Sequence, residues 1–217
     1  MCAIYGAPTR VDFLKLRDAN KERGSFCQST LMVNNEQFEV HKVPKTTVDY
    51  RFPRKPKYDI YLGHTQAPTS SKRIFTPVTS HPFAYEDWFV AHNGVLTNFK
   101  ALKEEFSPEW ENPVDSSIIP FLLHVTEQYT NERVKCITTV LEMLEGNFSL
   151  WIWNAATKTT YLAKCGATLY ARLIDNVFSS VQFSDYEPLE DGVLYELTHE
   201  GITQIGTFDC QSPFFTV

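Results

Sequence analysis

Long apolar runs are absent from this chain: no stretch approaches the ~20 residues that a membrane-spanning helix needs, and no charged-then-apolar leader opens it. A cytoplasmic protein with no membrane partner is therefore expected. Cysteine is scarce and badly spaced for pairing. The five residues (Cys2, Cys27, Cys136, Cys165, Cys210) are odd in number, far apart and never in a C-x-x-C pair. That argues against a disulfide framework and a zinc knuckle, and reduced thiols are expected. A basic excess is lacking too: 20 Lys and Arg face 26 Asp and Glu, for a formal charge of -6. Such a surface does not coat nucleic acid, which demands a basic face. The one basic run, Arg51 to Lys57, is short and broken by prolines, and reads as a solvated loop. Internal repeats and low-complexity segments are missing as well.

What the chain does have is material for a core. Hydrophobic residues make up 43% of its 217 residues and aromatics 14%, which suits a single domain over 1–217. Strand-like runs rich in β-branched and aromatic residues fill the first half: "CAIYGA", "FCQSTLMV", "EQFEVHKV", "DIYLGHT" and "DWFVAHNGVL". The period then changes. Apolar residues three and four apart in "NFKALKEEF", "SSIIPFLLHVTEQY" and "ERVKCITTVLEML" predict helices, with Pro120 tolerated near a helix start at Asp115 to Ser117 and Gly146 closing the last one. After Gly146 the strand signature returns, in "NFSLWIWNA", "TTYLAKCG" and the runs that follow. Strands, then helices, then strands fit an α+β layered architecture of two packed sheets with helices outside.

Four short segments carry candidate chemistry. Cys2 stands directly behind the initiator methionine. If Met1 is removed, a thiol and a free α-amine share one residue, and an α-amine titrating near ~7.7–8.0 can serve as the base that takes the thiol proton. "FVAHNGVLTN" holds Asn93-Gly94, a strong hairpin signal. The same pair, a side-chain amide beside a glycine N–H, also suits stabilisation of a developing oxyanion. "YLGHTQAPTS" places hydrogen-bonding side chains at a strand end, and Asp115 in "NPVDSSIIP" looks like a helix N-cap that could equally receive a substrate ammonium. His64, His81 and His92 match no common metal-ligand spacing, so no metal is expected and they read as structural or pocket-lining residues.

In order and spacing these segments resemble the class II glutamine amidotransferases, whose glutaminase domain is an N-terminal nucleophile hydrolase. The family's C-G-I-x-G stands here as "CAIYG", its R-G-x-D-S-x-G as "RGSFCQS", its G-H-T-R-x-x-T as "GHTQAPT", its H-P-F as "HPF", its H-N-G as "HNG" and its D-T/S-E as "DSS". The later "LEGNFSLWIWNAATKTTYLAKCG" looks like the family's strand and hairpin. The resemblance implies a four-layer αββα sandwich and a glutaminase that releases ammonia, with Cys2 attacking the side-chain amide of L-glutamine. It assigns the oxyanion hole to Asn93 and Gly94, the glutamine α-ammonium to Asp115, and pocket positions to Arg23, Gln66, Thr69 and His92. No cofactor is implied. Because larger members carry a second domain behind the first, a separate ammonia-accepting synthetase is expected as partner, with low activity until it docks.

Departures from the pattern centre on the pocket. Gln66 stands where the family usually has the arginine that clamps the α-carboxylate, Phe26-Cys27 replace Asp-Ser, and Ser117 replaces an acid. Hydrogen bonds to charged groups contribute roughly 1.5–3 kcal/mol, so loss of the clamp weakens glutamine binding by about one to two orders of magnitude unless Arg23 or Arg73 compensates. Two other readings stay open: an amidohydrolase acting on another γ-glutamyl or acyl amide, and a catalytically faded module that only binds and regulates. Cys27 reads most simply as a small buried residue.

Overall fold

In the computed structural model the described residues are 2–24, 26–44, 57–67, 74–106 and 111–211. Among the described residues thirteen strands form two antiparallel sheets. The first half supplies β1 (Ala3–Ala7), β2 (Cys27–Val33), β3 (Phe38–Pro44), β4 (Ile60–Gln66), β5 (Phe83–Tyr85) and β6 (Trp88–Leu96). After the helical stretch come β7 (Gly146–Asn154), β8 (Thr159–Cys165), β9 (Tyr170–Arg172), β10 (Val177–Ser179), β11 (Glu187–Pro188), β12 (Val193–Thr198) and β13 (Gly201–Thr207). One sheet runs β11-β9-β10-β1-β4-β2-β3, so the strand that follows Cys2 is its centre; the other runs β13-β12-β8-β7-β6-β5.

Three apolar clusters show why the layers stack as they do. Leu31, Leu62, Trp151, Trp153 and Phe178 fill the space between the sheets. Outside the first sheet, Tyr5, Met32 and Tyr61 pack on Phe13 and Leu16 of α1 (Arg10–Asn20). Outside the second, Val90, Leu150 and Ile152 pack on α3 (Ile119–Glu127) and α4 (Arg133–Met143), with α2 (Phe99–Phe106) adding Leu102. The result is the αββα sandwich. Between the sheets, Trp151 Nε1 donates to the Gly63 carbonyl at 3.0 Å, and a Cβ on Gly63 would lie 2.2 Å from the Tyr5 ring.

Some expectations require correction. Helix α1 lies in the half that reads as strands, although Thr9 caps Asp12 N–H at 3.1 Å and Phe13, Leu16, Arg17 and Asn20 are buried at helical spacing. Asn93-Gly94 is no hairpin turn: both lie within β6, paired with Ser149 and Phe148 of β7. Gly146 begins β7 at φ 130° instead of capping α4, whose C-cap is Leu144. Asp115 is the first residue of a 3₁₀ turn, Asp115–Ile118, behind the cap residue Val114. Cys165 and Cys210 form a disulfide, against the expectation of reduced thiols throughout. Their sequence spacing hid this, because β8 and the segment after β13 meet only in the folded chain.

Candidate active site

The central strand brings the N-terminal thiol to a convergence of strand ends. Cys2 immediately precedes β1; Ala3 pairs with Thr65 of β4, and Gln66 at the end of β4 pairs with Cys27 at the start of β2. Cys2 Sγ lies 3.7 Å from the Ala67 carbonyl, and the Cys2 carbonyl accepts from Arg23 Nε at 3.2 Å. The Arg23 guanidinium also donates to the Ser180 carbonyl at 2.9 Å and to Thr168 at 3.2 Å, so it pins the Cys2 backbone to the loop after β10. Burial lowers its pKa, with the Cys2 charge acting in the opposite sense. That placement ties Arg23 to the backbone of Cys2.

A cavity of about 700 Å³ opens in front of Cys2, lined among others by Gln66, His92, Gly94 and Asp115. Across it stands β6. The Asn93 amide is buried, its Nδ2 3.3 Å from Ser149 Oγ and 3.4 Å from Ser180 Oγ. Gly94 adopts φ 146°, and a Cβ there would fall 1.9 Å from the Asn147 carbonyl oxygen and 2.8 Å from His92 Nε2. Only glycine fits that geometry. Ser180 Oγ also accepts from Ile4 N–H at 3.0 Å, so one hydroxyl ties β1 to the Asn93 amide. Neither Ser149 nor Ser180 is conspicuous in the sequence, because each sits in an ordinary strand-like run.

The Asp115 carboxylate borders the same cavity, held by Leu96 N–H on one oxygen at 2.9 Å and by Ser116 N–H on the other at 2.8 Å. Each oxygen keeps a second lone pair, so an ammonium can still be received. His92 is fully buried beside it, and desolvation lowers its pKa against the pull of Asp115, which keeps the ring neutral near pH 7. His64 Nε2 contacts the His92 carbonyl at 3.0 Å, and His81, whose ring lies 3.9 Å from that of His64 at an interplanar angle of 35°, contacts Ser116 Oγ at 2.9 Å. Of the three, His81 and His92 line the cavity.

The structure brings together Cys2, Gln66, His92, Gly94 and Asp115 around one cavity, with Arg23 and Asn93 directly behind it. Thr69, Arg73 and most of the basic run lie outside the described residues. Gln66 is buried, and its Oε1 accepts from Cys27 Sγ at 2.9 Å.

Known proteins resemble this chain in sequence and in fold. A glutamine amidotransferase domain model matches residues 74–178. Glutamine–fructose-6-phosphate aminotransferase [isomerizing] of Bacillus subtilis is 25% identical over 194 residues, covering 83% of this chain and 32% of the relative. Its Rattus norvegicus counterpart, isoform 1, is 28% identical over 124 residues, 52% of this chain and 17% of that protein. The chain therefore spans about a third or less of the length of these curated relatives. Among solved structures, the glutamine phosphoribosylpyrophosphate amidotransferase of B. subtilis superimposes with a TM-score of 0.71 at 16% identity, over 94% of this chain and 49% of that one. A predicted glutamine amidotransferase of Pseudomonas aeruginosa gives 0.57 at 15% identity, over 93% and 94% of the two chains. At these identities the superpositions speak for the fold, an αββα sandwich shared with the class II glutamine amidotransferases of N-terminal nucleophile hydrolase type, and the sequence matches show that residues 74–178 are similar to a glutamine amidotransferase domain.

Proposed function

We propose that this domain hydrolyses the side-chain amide of L-glutamine to glutamate and ammonia through a thioester on Cys2, and that the ammonia passes to a separate acceptor enzyme. The observation that carries the reading is the cavity that has Cys2 on one wall, Gly94 on another and the Asp115 carboxylate at its edge, with the Asn93 amide behind. After removal of Met1, the α-amine of Cys2 takes the thiol proton and the thiolate attacks the amide carbon. The carbonyl oxygen becomes an oxyanion, which the Asn93 amide and the Gly94 N–H receive. Collapse expels ammonia, protonated by the α-ammonium, and leaves a γ-glutamyl thioester. Water, deprotonated by the same amine, then releases glutamate and restores the thiol. Asp115 holds the substrate ammonium; neutral His92 supports the wall from which Gly94 faces the cavity.

Gln66 favours a second reading, hydrolysis of another γ-glutamyl or acyl amide that lacks a free carboxylate, because an amide cannot reproduce a guanidinium fork. The first test is intact mass of the purified protein before and after exposure to a glutamine-mimicking electrophile, with Cys2→Ala alongside. Loss of Met1 and a single adduct absent from the variant are expected. Retention of Met1 would remove the amine base and with it the mechanism.

A further inference from the structure

Two of the positions at which this chain departs from the family pattern touch each other. Cys27 and Gln66 are paired across the β2–β4 ladder, and the thiol donates to the Gln66 amide oxygen at 2.9 Å. Behind them, Cys27 Sγ lies 3.6 Å from Ser80 Oγ. The Ser80 carbonyl, together with that of Pro77, accepts from Lys42 Nζ, each at 2.7 Å. Lys42 stands on β3, the edge strand beside β2, and its ammonium interacts electrostatically with Cys27. A continuous cluster therefore runs from the wall of the Cys2 cavity to a lysine. On its far side Lys42 lines a second cavity of about 440 Å³ with Phe83, Asn112 and Ser117.

That ammonium is largely withdrawn from water, and among the described residues no carboxylate forms an ion pair with it. Two carbonyl dipoles hold it in place, but they do not neutralise its charge. Desolvation accordingly lowers its pKa to about 8. A cation kept in such a place without a counter-charge is costly unless an anion arrives.

Building on the glutaminase reading above, we infer that Lys42 determines specificity: acting through Cys27 and Gln66, it supplies the positive potential that draws the free α-carboxylate of the substrate into the Cys2 cavity. In this arrangement Cys27 orients the Gln66 amide by occupying its oxygen, and Lys42 furnishes the charge that the missing arginine would have carried. Recognition by potential selects for a negative charge at that end of the substrate with less demand on its planar geometry than a bidentate fork imposes. The substrate class is thus a side-chain amide that keeps its free α-carboxylate, which decides between the two readings above.

The test compares L-glutamine with its α-methyl ester in the wild-type chain, Lys42→Met and Lys42→Arg. One unit charge acting over about 12 Å, across three strands and a side chain, at the effective dielectric of about 20 typical of protein sites changes binding about tenfold. Lys42→Met should therefore raise KM for glutamine about tenfold, leave KM for the ester unchanged, and leave kcat within about twofold; Lys42→Arg should restore the preference. An equal loss for both substrates, or an unchanged KM for glutamine, overturns the inference. Calorimetry of glutamine binding in a Cys2→Ala background separates the two levels of the argument. If the wild-type chain shows no turnover while glutamine binding to Cys2→Ala weakens with Lys42→Met, the glutaminase reading alone fails; turnover insensitive to Lys42 sinks only this inference.

Discussion

Replacing Asn93 by alanine tests the proposed oxyanion role, because the structural cost and the catalytic cost differ in size. The amide is buried, 5% exposed, and its contacts to Ser149 Oγ and Ser180 Oγ, at 3.3 and 3.4 Å, lie at the long end of hydrogen bonding. Such neutral bonds contribute about 0.5–1.5 kcal/mol each, so truncation should destabilise the fold by about 1–2 kcal/mol, a fall in Tm of roughly 2–8 °C at this chain length. The transition state loses more. An oxyanion donor contributes about 2.7–4 kcal/mol, which predicts a loss of ~10²–10³ in kcat with KM little changed. Steady-state ammonia release, read beside circular dichroism and a thermal melt, measures both quantities on one preparation. Ser180→Ala should give a smaller loss, since it loosens the amide without removing it. A kcat within about fivefold of wild type in a folded Asn93→Ala protein would refute the assignment, as would a loss confined to KM.

The other predictions concern backbone, cross-link and charge. Gly94→Ala should cost about 2–6 kcal/mol, combining strain at φ 146° with a Cβ placed 1.9 Å from the Asn147 carbonyl. Gly206→Ala, whose Cβ would meet side chains alone, Val134 at 2.8 Å and Thr138 at 3.6 Å, should cost far less; equal melting temperatures would contradict the geometry. The Cys165–Cys210 bond closes a sequence separation of 45, for which chain entropy gives about 4 kcal/mol. Cys165→Ser, or added dithiol reductant, should therefore lower Tm by roughly 8–16 °C, and a melt indifferent to reductant would count against the cross-link. For Lys42, burial lowers the folded pKa to about 8 from an ordinary 10.5, so between those values the unfolded chain holds more protons and stability rises with pH. With solvent screening the gain is about 2 kcal/mol; the difference in urea stability between wild type and Lys42→Met should change by that amount from pH 7.5 to 10, and a constant difference would exclude a buried ammonium.

Much of the architecture is legible because period 2 and period 3.6 alternate in long blocks. "FCQSTLMV" and "NFSLWIWNA" become fully or almost fully buried strands, and "ERVKCITTVLEML" becomes α4 through Cys136, Ile137, Val140 and Leu141. Helix α1 escapes the same reading because its inner face carries Arg17 and Asn20 beside Phe13 and Leu16, so polar residues break the apolar stripe. Asn20 is nonetheless buried for a reason: its amide donates to the Leu16 carbonyl at 2.8 Å and to Ser179 Oγ at 2.9 Å, fastening the helix to β10. Such tertiary bonds leave no local pattern. The Asn93-Gly94 turn fails for the opposite reason, since a strong local signal is overridden by nine residues of continuous pairing between β6 and β7. There the positive φ that a turn would use serves a strand whose neighbour, Asn147, approaches too closely for any side chain.

The candidate site divides along the same line. Its contact residues are legible because a cysteine behind the initiator, an Asn-Gly pair and a lone Asp before an apolar helix each carry chemistry in their side chains or in their freedom from one. The residues that hold them are not. Ser180 and Arg23 act at separations of 176 and 21 residues from their partners Ile4 and Cys2, and Lys42 meets Ser80 across 38. The Gln66 departure shows what this costs in interpretation. Read along the chain, it is a missing cation and suggests a changed substrate. In the fold it is half of a buried pair with Cys27, set one strand away from an ammonium that has no carboxylate partner among the described residues. A lost charge and a stranded charge so close together are more economically explained as one charge that has moved than as two independent events. For that reason the free carboxylate is the end of the substrate on which the experiments should turn.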